Sequence, residues 1–253
     1  MIIRRLAPWL LAAAILLAWE TACRAFDVRL YVLPPPSAVA AAIAGDPAGL
    51  ACAALATLGQ ALAALALAAA VAWPLALLAG LSATAERALR PLAVTLQVTP
   101  VIAIAPLVVI WAGLDHPERA VTALAAVVAF FPLFSGATAG LKSADPDLER
   151  LFDLYGARAS QRLLRLRLPA ALPFALEGLK VGVGLAVIGA VVAEFVAGSG
   201  RSQGLAWRIL EAVQRLRTAE MFAALVVLAV LAAALHAAVD RCEAAVLRRW
   251  RGR

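Results

Sequence analysis

Few residues in this chain of 253 could do covalent or metal chemistry. The run Gly200-Arg201-Ser202-Gln203-Gly204 has the spacing G-x-S-x-G, which in hydrolases lifts a nucleophilic serine onto a sharp strand-to-helix elbow. Such a serine needs a base, and His116 and His236 are the two histidines present. The elbow also needs a strand before it. An apolar run precedes Gly200 instead, so a glycine-rich loop is the expected structure. An intramembrane serine hydrolase pairing Ser202 with His236 stands as a rival, and it requires both residues in one cavity at membrane depth. Two isolated histidines make no metal site. Cys23, Cys52 and Cys242 lack the C-x-x-C spacing of ligands or redox pairs and are expected as free thiols. A Cys23–Cys52 bridge is left open, because both fall on the same side of the membrane. The glycines near Lys142-Ser143 do not form G-x4-G-K-[ST], so the chain has no phosphate loop of its own and is not expected to hydrolyse ATP alone. No catalytic residue, cofactor or metal ligand is expected.

The elements that would carry these residues are membrane spans. The chain is 64% hydrophobic and 15% charged, with a mean hydropathy of +0.90. Residues 47–85, 91–114 and 120–141 hold no charged side chain, and a hydrocarbon core of about 30 Å needs roughly 20 apolar helical residues. Helix is the expected spanning form, since an open sheet leaves backbone groups unsatisfied in lipid. The reading is an all-α, polytopic bundle of about six spans, near 6–24, 54–82, 91–113, 119–141, 178–198 and 221–240. Residues 1–25 resemble a signal peptide in outline, but Glu20 fits badly beside a cleavage site, and a retained first helix is expected. The net charge of +7 does not point to nucleic acid, because the basic residues lie between apolar runs. With the N-terminus inside, sixteen Lys and Arg fall on the cytosolic side and seven outside, which selects N-in and C-in. Prolines at Trp73-Pro74, Thr99-Pro100 and Pro106 fall within spans and are expected to bend them.

One stretch is too basic to span. Gly156 to Pro173, "GARASQRLLRLRLPAALP", holds four arginines between 158 and 167. At about 2.5–3.5 kcal/mol each, burying them at mid-bilayer would cost roughly 10–14 kcal/mol. It is expected in the cytosol, as a pair of short helices. In the first, Asp145 is the N-cap, Pro146 opens the first turn and Gly156 is the left-handed C-cap. The second runs from about Ser160 and ends at Leu168-Pro169, because a residue before proline avoids the α conformation. Arg158, Arg162 and Arg165 would line one side if that helix reaches back as far as Arg158. Such a surface suits either anionic membrane lipid or a groove on a soluble partner.

The spacing of Gly156, Leu166, Leu168 and Pro169 resembles the cytoplasmic loop of ABC importer permeases: Glu-Ala-Ala, three residues, Gly, nine residues, an aliphatic, any residue, Leu-Pro. The Glu-Ala-Ala positions hold Arg150-Leu151-Phe152, with Glu149 one residue early. "LPPPSAV" at 33–39 and "GAVVAEFVAGSG" at 189–200 are similar to the sulfonate/nitrate/taurine branch. The resemblance implies a permease subunit with no catalysis of its own, in the bacterial inner membrane. It implies two copies of the chain, a cytosolic ATPase dimer and a periplasmic solute-binding protein. It also implies a small polar solute, such as a sulfonate, a nitrate- or taurine-like anion or a pyrimidine precursor. The organisation expected is 1–53 as first span and outer segment, 54–240 as transport core with the coupling loop at 142–177, and 241–253 as a basic tail. On that loop Glu149, Arg150, Asp153, Gly156, Arg158, Arg162, Leu166, Leu168 and Pro169 are expected to serve the ATPase.

Three further groups are candidates for the path and the outer face. Gly178, Gly182, Ala186, Ala190 and Glu194 recur every four residues, a spacing that serves close helix packing or a pore-facing stripe. Glu194 should find a partner or water rather than lipid; it fits either an outer gate or a plain interfacial hydrogen bond, and with no second acid nearby it is not expected in catalysis. Gln97 and Thr99 in the third span are further path candidates. Arg208 and Arg215, with Glu211, are expected outside, where charge would steer a binding protein. A self-contained secondary transporter is the second rival; it calls for paired intramembrane acids and inverted repeats, and no second half matches the first.

Overall fold

The structure, a computed structural model, describes residues 2–113, 116–197 and 204–250, with side chains for all of these except 2–6, 8 and 9. In chain order the helices are α1 (Ile2–Ala25), α2 (Pro36–Gly45), α3 (Pro47–Leu81), α4 (Ala83–Val98), α5 (Val101–Ala112), α6 (Pro117–Leu141), α7 (Pro146–Leu154), α8 (Ala159–Arg162), α9 (Leu168–Ala197), α10 (Leu205–Gln214) and α11 (Thr218–Trp250). A π turn, Leu163–Arg167, joins α8 to α9. No strand occurs among the described residues. Among the described residues four helices are long and apolar enough to cross a bilayer: α3, α6, the continuous Ala159–Ala197, and α11. The bent pair α4–α5 makes a fifth if counted as one span. The first expected span lies on α1.

The third expected span, 91–113, is bent at Thr99-Pro100, one of the prolines expected to bend it, and the bend is a full break between α4 and α5. Pro100 has no N–H to continue the ladder, and Thr99 ahead of it is extended at φ −68°, ψ 124°. The Thr99 N–H closes α4 on the Thr95 carbonyl at 3.0 Å, and its Oγ1 donates to the same oxygen at 2.7 Å. The helices on either side bend by 98°. Pro74 and Pro132, by contrast, are carried inside the unbroken helices α3 and α6.

The chain divides into two compact units, Met1–Ala56 with Gln203–Val230, and Thr57–Ser202 with Leu231–Arg253. In the first, the proline run at 34–36 starts α2 without a side-chain cap, since Pro35 occupies the N-cap position. Glu20 of α1 supplies the missing acceptor, taking the Ser37 N–H at 3.0 Å and its hydroxyl at 2.8 Å. Cys23 is buried, with its Sγ 3.7 Å from the Leu33 carbonyl, and Cys52 is exposed. All three cysteines are free, so the Cys23–Cys52 bridge does not form.

The second unit is built on the seam between α6 and α9. Helices in lipid gain little from hydrophobic contrast, so close approach through small residues must supply the packing. A Cβ on Gly178 would lie 2.6 Å from the Pro132 carbonyl oxygen, and one on Gly136 would lie 2.8 Å from that of Phe174. Only glycine allows backbones that close. Leu133 lies in the seam against Gly182 and is fully buried.

Candidate functional site

The hairpin 145–169, the stretch expected in the cytosol, is locked at each corner. Asp145 Oδ1 accepts the Asp147 N–H at 2.8 Å, which caps α7, and Pro146 stands at its first position. At the other end Gly156 takes φ +64°. Its N–H bonds the Asp153 carbonyl at 3.0 Å, and the Ala157 N–H reaches the Phe152 carbonyl at 2.9 Å. That pair of bonds is the Schellman closure, for which the left-handed residue is cheap only as glycine. Gln161 Oε1 then accepts the Arg158 N–H at 2.8 Å and starts the second limb.

Two ion pairs cross between the limbs. Glu149 meets Arg167 at 2.7 Å, with both side chains more than two-thirds buried, and Asp153 meets Arg162 at 2.5 Å. Glu149 is the acid that stands one residue early against the family pattern, and here it is the one that ties the limbs. These pairs correct the expected basic stripe. The helix begins at Ala159, so Arg158 is extended and not helical, and Arg162 spends its charge inside the hairpin. Arg158 and Arg165 remain exposed, and Arg150 is paired only with exposed Asp147 at 2.9 Å.

A second correction concerns Pro169. The helix does not end there; it runs from Ala159 to Ala197. The π turn makes this tolerable, since the Leu168 N–H reaches back five residues to Leu163. The wider turn relieves the carbonyl that the proline ring would otherwise strike. Leu166 faces inward and is buried, while Leu154, Tyr155 and Leu164 stand out at 85%, 82% and 63% exposed. Leu168 is exposed at 41%.

Within the chain, the α9 stripe packs. Gly178, Gly182, Ala186, Ala190 and Glu194 are all buried, and a Cβ on Gly182 would lie 2.5 Å from Leu133 Cδ1 of α6. Glu194 is fully buried near the end of α9. Gln97 is exposed on the last turn of α4, and Thr99 is the break residue itself.

In the segment expected outside, Arg208 does not stand free, as the docking expectation required. It bonds Asp46 at 2.8 Å, between α10 and the start of α3. That bond, helped by the Gly49 N–H, holds the Asp46 carboxyl below its ordinary range. Arg215 pairs within its own turn with Glu211 at 2.8 Å and stays 58% exposed. Gly200, Arg201, Ser202 and Gln203 lie outside the described residues. His116 contacts Glu118 at 3.0 Å, and His236 contacts Asp240 at 3.7 Å. Among the described residues no group of acids, histidines and cysteines could hold a metal.

Three pairings escaped the sequence reading. Arg167 fills the unassigned position of the loop pattern. Lys142 pairs with Glu86 of α4. Lys180 of α9 bridges Asp240 at 2.6 Å and Glu243 at 3.4 Å on α11. The last was open to inference, because a lysine in an apolar helix needs a carboxylate within reach.

A family model described as "Binding-protein-dependent transport system inner membrane component" matches residues 72–252. A probable ABC transporter permease protein of Haemophilus influenzae is 32% identical over 241 residues, covering 94% of this chain and 95% of that protein. The taurine transport system permease protein TauC of Escherichia coli is 34% identical over 231 residues, 87% of this chain and 81% of that one. The formylaminopyrimidine transport permease protein ThiX of Halalkalibacterium halodurans is 36% identical over 166 residues, 66% and 64% respectively.

Proposed function

The chain belongs to the family of binding-protein-dependent transport system inner membrane components, and on that basis we propose how its parts divide the work. It is a multi-pass inner-membrane permease subunit of an ABC importer and is not itself catalytic. ATP hydrolysis resides on a separate cytosolic ATPase, which grips the hairpin 145–169. The observation that carries this is a contrast within the hairpin: its limbs are cross-tied and capped, yet its tip presents Leu154 and Tyr155 almost fully exposed. A rigid element with an apolar tip fits a groove on a partner, and lipid needs no such rigidity. Exposed Arg150, Arg158 and Arg165 call for an acidic rim on that groove.

The path runs past the break at Thr99-Pro100. Non-helical backbone at membrane depth is tolerated only against protein or water, and Gln97 beside the break is exposed. A second copy of the chain covers this face, leaving Gln97 and Thr99 on the solute path, with Glu194 at the outer gate. Gly182 and Ala186 support that path from behind, by seating α9 on α6. A periplasmic solute-binding protein docks outside, steered by Arg215 more than by Arg208, since both are ion-paired but Arg215 is 58% exposed and Arg208 38%. The solute is a small polar organic compound or anion, of the sulfonate, nitrate, taurine or pyrimidine-precursor kind; two relatives carry taurine and formylaminopyrimidine in their names.

The test is purification of the tagged chain in mild detergent with identification of what accompanies it. An ATPase with a phosphate loop is expected, present with the unmodified chain and lost with Gly156→Asp, while the variant still inserts in the membrane. A chain that purifies without any ATPase would overturn the docking reading.

A further inference from the structure

Arg167 does more than tie the hairpin. Its guanidinium is a planar fork with five N–H donors, able to serve two acceptors at once. Nε donates to Glu149 at 2.7 Å, and Nη1 donates to the carbonyl of Gly80 at 3.4 Å. Gly80 lies in the last turn of α3, where carbonyls have no partner within the helix and a cation is favoured. We propose that Arg167 is a positioning residue that carries displacement of the hairpin to the end of α3, and through α3 to the break between α4 and α5. This rests on the reading of the hairpin as the ATPase dock.

The surroundings support a pin rather than a staple. A cleft of about 540 Å3 lies between the hairpin and the α3–α4 corner, with Glu86, Leu141, Glu149 and Arg167 among its walls. The hairpin is thus not packed solidly on α3, and Arg167 crosses the gap. Behind Gly80 there is no slack: a Cβ there would lie 2.7 Å from Leu141 Cδ1, so the end of α3 is wedged against the end of α6. Lys142, the next residue of that end, pairs with Glu86 of α4. Only Ser82 joins α3 to α4, and its Oγ caps α4 by accepting the Ala85 N–H at 3.3 Å. A push on the Gly80 carbonyl is therefore passed to α4 as a rigid body, and α4 ends at Thr99. Motion sent through α9 reaches this corner only by way of α6, whereas Arg167 reaches Gly80 directly.

Two substitutions separate the roles. Glu149→Gln removes the ion pair but leaves the guanidinium able to hold Gly80. The exchange Glu149→Arg with Arg167→Glu keeps an ion pair between the limbs but leaves no donor for the Gly80 carbonyl. The reporter is Gln97→Cys at the break, in the full chain with Cys23, Cys52 and Cys242 changed to Ser, purified with its ATPase and placed in lipid vesicles. Maleimide labelling of the introduced thiol is compared without nucleotide and with ATP plus vanadate.

The otherwise unchanged chain should show a several-fold change in labelling. Glu149→Gln should keep most of it. The exchanged pair should keep its ATPase and lose the change. If the exchanged pair responds like the unexchanged chain, Arg167 is only a staple and the inference fails. It fails also if nucleotide leaves labelling of the introduced thiol unaffected in the unexchanged chain. Absence of any ATPase with that chain removes the docking reading instead, and the inference with it.

Discussion

At the scale of single residues, Gly156 shows how one backbone angle would support the proposed partner surface. Its φ of +64° excludes ordinary side chains on conformational grounds, while a Cβ there would meet nothing within 4 Å. Gly156→Ala is therefore expected to cost about 1–2 kcal/mol from the left-handed backbone alone, and Gly156→Asn less, since asparagine tolerates that region. Co-purification of the ATPase should fall in the order Gly, Asn, Ala, and an unchanged yield with Ala would show that the hairpin does not need its closure. Asp46 offers a second test at this scale. Its carboxyl is held low by Arg208, so the stabilisation is present above the ordinary aspartate range and is lost as pH falls through the depressed value. Thermal unfolding in detergent should be insensitive to pH from neutrality down to about 5 on this account, where aspartate begins to protonate. Below that it should drop, and Asp46→Asn should remove that part of the drop.

At the scale of elements, the α6–α9 seam makes opposite predictions for two glycines of one helix. A methyl on Gly178 must displace the Pro132 carbonyl or part the helices, so Gly178→Ala should cost about 1–3 kcal/mol as overpacking. Gly184 has open space around its missing Cβ, and Gly184→Ala should be neutral or stabilising by up to about 1 kcal/mol through helix propensity. Melting temperatures of the two variants in the same detergent decide it; equal effects would mean the seam is looser than its geometry. The hairpin follows the same logic of short elements held by specific bonds. Leu166 fills its interior, and two ion pairs do what a 9-residue α7 could not do alone.

At the scale of the whole molecule, the two proposed partner surfaces differ in chemistry. The tip residues Leu154 and Tyr155 bury nothing within the chain, so Leu154→Asp with Tyr155→Asp should leave stability unchanged and abolish ATPase association, measured by pull-down. At the proposed binding-protein surface Arg215→Glu should slow uptake with a dependence on ionic strength, as steering by exposed charge requires. Arg208→Glu should act mainly by breaking its bond to Asp46, lowering thermal stability instead. If the two variants behave alike in uptake and salt dependence, the assignment of separate roles is wrong.

Local chemistry alone determined a good part of this protein. Charge-free runs of more than 20 residues dictate spans because lipid offers no partner to backbone or charge. Asp145, Pro146 and Gly156 dictate the first limb of the hairpin because caps and left-handed turns depend on a few adjacent residues. The spacing of Gly156, Leu166, Leu168 and Pro169 was enough to indicate the family. What depended on residues distant in the chain was decided by the fold. Thr99-Pro100 announces a bend, but a 98° break instead of a mild kink depends on what packs beside it. Pro169 announces a helix end, and a π turn five residues long overrides it. The stripe recurring every four residues on α9 suits packing or a pore in sequence, and that it is buried against α6 within the chain depended on the fold. Arg162, Arg167 and Arg208 look like free surface charge in sequence, because an ion pair is visible only when the partner, 9, 18 or 162 positions away, has been folded into reach.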